Sequence, residues 1–532
     1  MLLLLFYFIY LWTVFFTVGT AFKRCLWGTA VSVINILIGG IAVSLFFFST
    51  VAFLMPLDGT AMALYNFFVI LIFWANRKFI SDKHKAIIST LRKEPISRKI
   101  SYAALMVMVL AVSAMPPFLI DNETYYIQSI QWLNQLGYTK GLANLHPFLG
   151  QMSAWHVLEA GLNVHWIEKT TNDLNGFLFL IVVGSALKST FNQERVNALL
   201  LMMSPLLLFF VSSPSPDLPI LLGSAYLAVK MLNENQDYYR DQSVGMALVL
   251  AMLFLMKITI LPLLGLLFLL SYNNKNRYKM GAIAAIAGLV WMVKNYIISG
   301  WMLYPFPWWQ ANKVWTLPNE FYRFEAVAHQ VGFVQSVGIS FWMLLAIGLS
   351  TSVWVFLTSK SRVKNILILL ATMQVGMVVA SNASVRLALP GIMIWVLVIG
   401  SLFSFEKHKS KLKFVPMLVC IVGLCVFGLL NFKSFKVNKT GMHHGGKTFS
   451  YQQVVIPANN TRFEFMRFEK CEEGNLEYYS PKQKMLLFNT FAGPLPTLNR
   501  NQLKYFKKRF HLVPQKIGND LSDGFYSKKL ME

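Results

Sequence analysis

The chain has 532 residues, of which 55% are hydrophobic and only 14% charged, with a mean hydropathy of +0.51. Its apolar runs exceed what a globular core can hold, which excludes an ordinary soluble protein and points to a polytopic membrane protein. The net charge of +24 sits mostly in short loops between apolar runs and in the tail, a distribution that positive-inside topology explains better than nucleic-acid binding does.

The opening MLLLLFYFIYLWTVFF lacks a basic start and a small-residue cleavage site, so it reads as a first span rather than a signal peptide. Apolar spans follow near 1–22, 26–55, 61–75, 100–119, 174–187, 196–212, 217–232, 243–256, 258–272, 280–298, 335–358, 365–381, 387–404 and 414–431, about fourteen crossings. Those at 61–75, 243–256 and 258–272 are short for a bilayer and suit tilted pairs, re-entrant hairpins or half-helices. The basic clusters Lys23-Arg24, Arg77 to Lys99, Lys275 to Lys279, Lys360 to Lys364 and Lys407 to Lys413 all fall on one side if every span crosses, and that side is the cytoplasm. The same counting places 120–173, the 212–217 turn, Lys257, the 295–334 loop, the ASVR turn at 383–386 and the tail after Phe432 outside. Cys25, Cys420 and Cys425 lie in or beside apolar runs and Cys471 stands alone in a polar region, so neither a disulfide framework nor a zinc site is indicated.

Between the spans ending near Leu119 and starting near Leu174 lies IDNETYYIQSIQWLNQLGYTKGLANLHPFLGQMSAWHVL, with carboxylates, aromatics and a histidine hard against a membrane boundary. Asp121 and Glu123 follow the span end at once, a costly place for ionisable groups that fits a functional site. The competing reading makes Asp121 the cap of the next helix and Glu123 part of its first turn. From Thr124 onward, Ile127, Ile130 and Leu133 with Tyr125, Tyr126 and Trp132 predict an amphipathic helix lying in the interface as a lid or groove. His146 precedes Pro147 and therefore sits in extended or turn backbone.

Further along, Asp217 follows Pro214 and Pro216, while Lys257, Lys294 and Arg386 are cations at outer span ends, against the positive-inside bias. Each alone is explained by snorkelling; the three together favour a shared anionic ligand such as a lipid-linked phosphate. The loop 295–334 is dense in aromatics, with Trp301, Tyr304, Trp308, Trp309 and Trp315, and serves either as an interfacial belt or as a platform for sugar rings. The tail, 432–532, mixes charges and alternates like strands in VVIPANNTRFEFMRF, which predicts a small α+β domain outside the membrane. Its cations Lys504, Lys507, Lys508 and Arg509 form the solvated face of a helix or attract anionic headgroups or glycans.

This order of features resembles the GT-C superfamily of membrane glycosyltransferases. In detail, Tyr126, Gln128, Trp132, GLANLH at 141–146, Ser153 and Trp155, then SSPSPD, Lys257, KNYIISGWMLYP at 294–305 and the Arg386 turn look like a bacterial family of multi-spanning proteins related to GT-C enzymes. The chain departs from that family in having Pro147 and Phe148 after His146, where Gly and Arg follow in the family. The resemblance implies an all-α polytopic membrane protein of about fourteen transmembrane or re-entrant helices, with a transmembrane GT-C-like domain over 1–431 and an extracytoplasmic α+β domain over 432–532. It implies a bacterial cytoplasmic-membrane enzyme that transfers a sugar from a polyprenyl-phosphate carrier to a glycan, lipid or protein acceptor at the outer face, with inversion.

In such a reaction Asp121 is the general base, and Lys257, Lys294 and Arg386, with His146, hold the donor phosphate, while Glu123, Asp217, Tyr126 and Tyr304 support them. Asp121, Glu123 and Asp217 offer oxygen donors to a divalent metal such as Mg or Mn, without a tight cluster that demands one. The competing classes are a transporter or flippase of a lipid-linked saccharide and a non-catalytic envelope-assembly protein. A flippase needs charge near the middle of its spans, where this sequence has almost none.

Overall fold

The computed structural model describes residues 1–28, 31–164, 173–191, 194–233, 240–322, 339–381, 385–402, 415–432, 435–437, 442–444, 449–482 and 489–530. Expectations for 165–172, for the loop 323–334, for Ala383 and Ser384 and for the Lys407 to Lys413 cluster lie outside those residues.

Among the described residues, seven helices are long and apolar enough to cross a membrane: Leu2–Trp27, Val33–Val51, Gly59–Lys93, Ile96–Ser113, Leu174–Phe191, Arg277–Ser299 and Arg362–Ala380. Shorter apolar helices include Arg195–Leu207, Asp217–Asn233, Ser243–Met256 and Leu389–Gly400. Fourteen full-length spans are therefore not seen among the described residues. The expected short span at 61–75 is the first part of a 35-residue helix. Asp58 caps it, its Oδ1 accepting from the amides of Thr60 and Ala61 at 2.9 and 3.2 Å. At 1.5 Å per residue this helix is about 52 Å long, more than a bilayer's ~30 Å hydrocarbon core, so it carries the basic stretch beyond the membrane. By contrast, 243–256 is a short helix as expected, and 258–271 begins as a 3-10 helix around Pro262 before becoming α-helical at Leu266.

The first two helices cross at their glycines. A methyl group at Gly19 would meet the Ile36 carbonyl, and one at Gly40 would meet the Phe15 carbonyl, so only glycine permits this approach. Around this pair the interior is filled by large side chains, with Trp27, Trp132, Trp155 and Trp301 all fully buried.

The segment after Ile96–Ser113 does not lie at a lipid surface as the sequence suggests. A π-helical turn, Asn122–Tyr126, leads into a helix, Ile127–Leu136, whose residues are buried on nearly every side. Its polar residues explain why: Asn134 donates to the carbonyls of Leu57 and Ala160 at 2.6 and 2.8 Å, and Gln128 donates to that of Gly493 at 2.9 Å. The amphipathic pattern therefore reports two protein neighbours rather than lipid on one face and water on the other.

Much of that cover comes from the tail. It contains the antiparallel pairs Phe468–Glu473 with Leu476–Pro481 and Leu512–Lys516 with Phe525–Lys529, plus a shorter pair, Phe435–Val437 with Met442–His444. A helix, Arg500–Phe510, buries Leu503 and Phe506 while Lys504, Lys508 and Arg509 stay exposed and Lys507 pairs with Glu473 at 2.5 Å. Leu476, Tyr478, Leu503, Phe506 and Phe525 join the same continuous core as the membrane helices.

A buried chain of ion pairs as the candidate site

Four segments far apart in sequence bring their charged residues together. Asp121 opens the π turn, Asp217 begins the Asp217–Asn233 helix, Lys257 ends Ser243–Met256 in extended backbone, and Arg386 sits in the 3-10 turn Val385–Ala388. Lys257 Nζ lies 2.5 Å from Asp217 Oδ1, Arg386 Nε lies 3.5 Å from Asp217 Oδ2, and an Arg386 Nη pairs with Asp121. The result is a chain Lys257–Asp217–Arg386–Asp121 of alternating sign, two cations against two carboxylates. Asp217 is nearly enclosed, its side chain 5% exposed, whereas Lys257, Asp121 and Arg386 are 17%, 19% and 29% exposed, so the chain is closed at its centre and partly open at both ends.

Local sequence sets this geometry. Ser215 Oγ accepts from the Asp217 amide at 3.2 Å, as a hydroxyl does at a helix start. Ser212 and Ser213 accept from the amides of Phe118 and Leu119 at 3.2 and 3.1 Å, which ties the strand of chain before Asp121 to the turn before Asp217. Asn175, fully buried, donates to the carbonyls of Ser213 and Ser215 at 2.6 and 3.0 Å and fixes the same turn from a third helix. Tyr126 donates to Asp121 Oδ2 at 3.3 Å and lies 3.4 Å from Ser215 Oγ.

His156 is a member of this neighbourhood that sequence reasoning passed over. Its ring lies 4.9 Å from that of Tyr126. Burial first, then the Lys257 charge, pushes its pKa down to about 3, with the Pro214 carbonyl and Asp217 pulling the other way. It is therefore a neutral imidazole beside the ion chain. The available signal was its place three residues before Glu159 in an otherwise apolar helix, Ala154–Leu162.

Other expected site residues have different work. Lys294 Nζ is buried and donates to the Met152 carbonyl at 2.9 Å. His146 caps the short helix Pro147–Gly150, its Nδ1 accepting from the Phe148 amide at 3.1 Å. Tyr304 donates to the Pro147 carbonyl at 2.7 Å. These three hold the 146–152 segment, while Lys257 and Arg386 hold the ion chain. Glu123, two residues from Asp121, turns to the tail: its carboxylate accepts from Thr461 Oγ1 at 2.8 Å and from the Arg462 amide at 3.0 Å.

A metal bound by Asp121, Glu123 and Asp217 does not fit this arrangement. Glu123 is committed to the tail, and Asp121 and Asp217 both face Arg386. Among the described residues no three His, Cys, Asp or Glu side chains converge to hold a metal ion. In the aromatic loop, Trp301 points inward and donates to the Leu317 carbonyl at 2.8 Å, while Trp308 and Trp309 are 61% and 67% exposed.

The helices of membrane-crossing length are consistent with the class of polytopic membrane proteins, and the ion chain lies where a π turn, two shorter helices and a 3-10 turn meet. Over residues 1–406 the sequence matches the family described as Domain of unknown function (DUF8201), and the chain belongs to that family. No curated protein and no solved structure matches it significantly. All four residues of the ion chain lie within the matched segment.

Proposed function

We propose that this protein is a GT-C-type glycosyltransferase of the bacterial cytoplasmic membrane, moving a sugar from a polyprenyl-phosphate-linked donor to a glycan, lipid or protein acceptor at the outer face. The observation that carries the reading is the convergence of Asp121 with Arg386, Asp217 and Lys257, a carboxylate beside two cations at helix ends. Such a site has the two parts that transfer from a phosphate requires, a proton acceptor and positive charge for the leaving group. An apolar cavity of about 440 Å³ between Ile96–Ser113 and Val415–Phe432, lined by Val107, Met108, Ala111, Leu424, Phe427 and Phe449, is suited to isoprenoid units.

In this mechanism the donor phosphate gives Arg386 a second anion, which leaves Asp121 to accept the proton of the acceptor hydroxyl. That oxygen attacks the anomeric carbon from the face opposite the phosphate. The bond from carbon to phosphate oxygen breaks, its electron pair goes to the phosphate, and Arg386 and Lys257 compensate the charge as it develops. Asp217 holds the two cations at a fixed separation throughout. Tyr126 orients Asp121 by its hydrogen bond.

One observation favours a flippase of a lipid-linked saccharide as the second reading: the short helix Ser243–Met256 is followed by the broken segment 258–271, which turns from a 3-10 helix to an α-helix at Leu266. The buried polar cluster in which Asn35 accepts from Tyr226 at 2.6 Å and from Lys230 at 3.3 Å and donates to Gln242 at 2.8 Å lies at helix ends rather than at mid-span. Transfer of labelled sugar from a polyprenyl-phosphate pool, in membranes carrying the parent or Asp121→Asn, separates the two. Asp121→Asn keeps the shape and removes the proton acceptor, so transfer should fall by roughly two orders of magnitude while expression persists. Full transfer by the variant removes Asp121 from the mechanism, and no transfer by the parent from any lipid-linked donor favours the flippase.

A further inference from the structure

We infer that the C-terminal region is a working part of the site: residues 460–462 and 489–493 clamp the turn that carries Asp121, and Glu123 is the positioning residue through which they do so. The functional arm of this inference rests on the proposed transferase reading; the structural arm does not.

The turn needs support from outside itself. A π-helical turn is rare and occurs mostly as a single-turn bulge, and this one is only five residues long. One residue of slip in a helix rotates a side chain by about 100°, enough to take Asp121 out of reach of Arg386. The tail grips both flanks of Asp121. Before it, Arg462 donates through Nε to the Pro117 carbonyl and through Nη2 to that of Pro116 at 3.4 Å, with its guanidinium 5.6 Å from the Phe118 ring. After it, Asn122 donates to the Asn460 carbonyl at 2.8 Å. The Glu123 carboxylate takes Thr461 and the Arg462 amide, and the Glu123 carbonyl accepts from the amides of Thr490 and Phe491 at 3.0 and 2.8 Å. Thr490 Oγ1 donates to the Thr124 carbonyl at 2.8 Å, and Gln128 reaches the Phe491 and Gly493 carbonyls at 3.3 and 2.9 Å.

Within this clamp Glu123 is the one side chain that takes two donors from the tail on its two carboxylate oxygens, and it is 2% exposed. Asp121 points the other way, to Arg386 and Tyr126. The turn thus presents one carboxylate to the site and the next to the tail, so that fixing the second fixes the first. The tail's half of the clamp lies outside the family-matched segment, residues 1–406, whereas Glu123 and the charges it positions lie inside it.

The test uses the full chain, purified in detergent, and reads hydrogen exchange by mass spectrometry together with transfer kinetics. Glu123→Ala should raise exchange in peptides covering 122–128 and 460–463 by about tenfold, leaving Val33–Val51 at the parent rate. Its kcat should fall by about tenfold with KM for the lipid-linked donor within about twofold, because the donor contacts remain and the base is misplaced. Glu123→Gln keeps an acceptor and should restore both readouts to within about threefold of the parent. Unchanged exchange at 122–128 in Glu123→Ala overturns the clamp whatever the activity does, and so does a rise in KM with kcat unaltered. If the parent shows no transfer, the transferase reading fails and the exchange arm alone decides the clamp. Should Glu123→Ala loosen the whole chain, Thr461→Ala, which removes one hydroxyl donor, is judged by the same criteria.

Discussion

At the scale of single residues, Asp217 is the hub of the site because, among the described residues, it alone contacts both cations. Taking away Lys257 leaves the enclosed Asp217 with Arg386 alone, its more distant partner, and an under-compensated buried charge costs more than the pair contributes. Lys257→Met should therefore lower stability by about 3 kcal/mol, seen as reduced thermal stability in detergent. The double variant Lys257→Met with Asp217→Asn should recover much of that loss, since it removes both charges; a double variant no more stable than the single one contradicts the pairing.

Glu123 adds a dependence on pH. Burial pushes its carboxyl up from 4.5 to about 7, against the opposing pull of Thr461, the Arg462 amide, Asn122 and the Arg462 charge. Arg462 is the charged group that faces it. A carboxyl raised in the folded state keeps its proton over a range in which the unfolded chain has lost it. The stability it contributes is therefore full below about pH 4.5, declines as pH rises to about 7 and is level above that. Exchange at 122–128, corrected for its intrinsic pH dependence, should speed up across that window and then flatten. Glu123→Gln, which does not titrate, should abolish the trend; persistence of the same slope in that variant would assign it to another group.

At the scale of elements, the helix Ile127–Leu136 and the loop behind it form the seat for the tail. Gly141 has φ +63°, and a Cβ there would meet the Phe525 carbonyl, so glycine is required both for the backbone and for the approach of the last hairpin. Asn144 fastens the same contact by accepting from Ser527 Oγ at 2.8 Å, and the Phe525 amide donates to the Lys140 carbonyl at 3.0 Å. Gly141→Ala should displace Phe525–Lys529 and make the tail more susceptible to limited proteolysis, with the membrane helices intact. A cleavage pattern equal to that of the parent would show that this seat tolerates a side chain.

For the whole molecule, the strongest expectation concerns sidedness. The tail and the 120–164 segment pack together, so they are expected to share a side, with the basic helix end near Lys99 opposite to it by the positive-inside pattern. Single cysteines placed at Lys140 and Lys504 should react together with an impermeant thiol reagent in intact cells, and one at Lys99 only after the membrane is opened. Labelling of Lys99 and Lys140 positions from the same side would overturn the orientation and with it the outer-face site.

What the sequence determined by itself is the membrane class, the position of many helices and the four residues of the ion chain. Asp121, Asp217, Lys257 and Arg386 were legible because a charge at the end of an apolar run is costly and so stands out without any knowledge of its partner. Which charge meets which was decided only by tertiary structure: Arg386 reaches Asp121 across 265 residues, while Lys294 and His146, alike in kind, serve the 146–152 segment instead. The tail read as a separate domain because its polarity differs from the helices, yet its hydrogen bonds run to the site turn. Periodicity records which face of a segment is covered, and not what covers it. That depends on side-chain reach between distant segments, which is where Glu123, His156 and Asn175 found their partners.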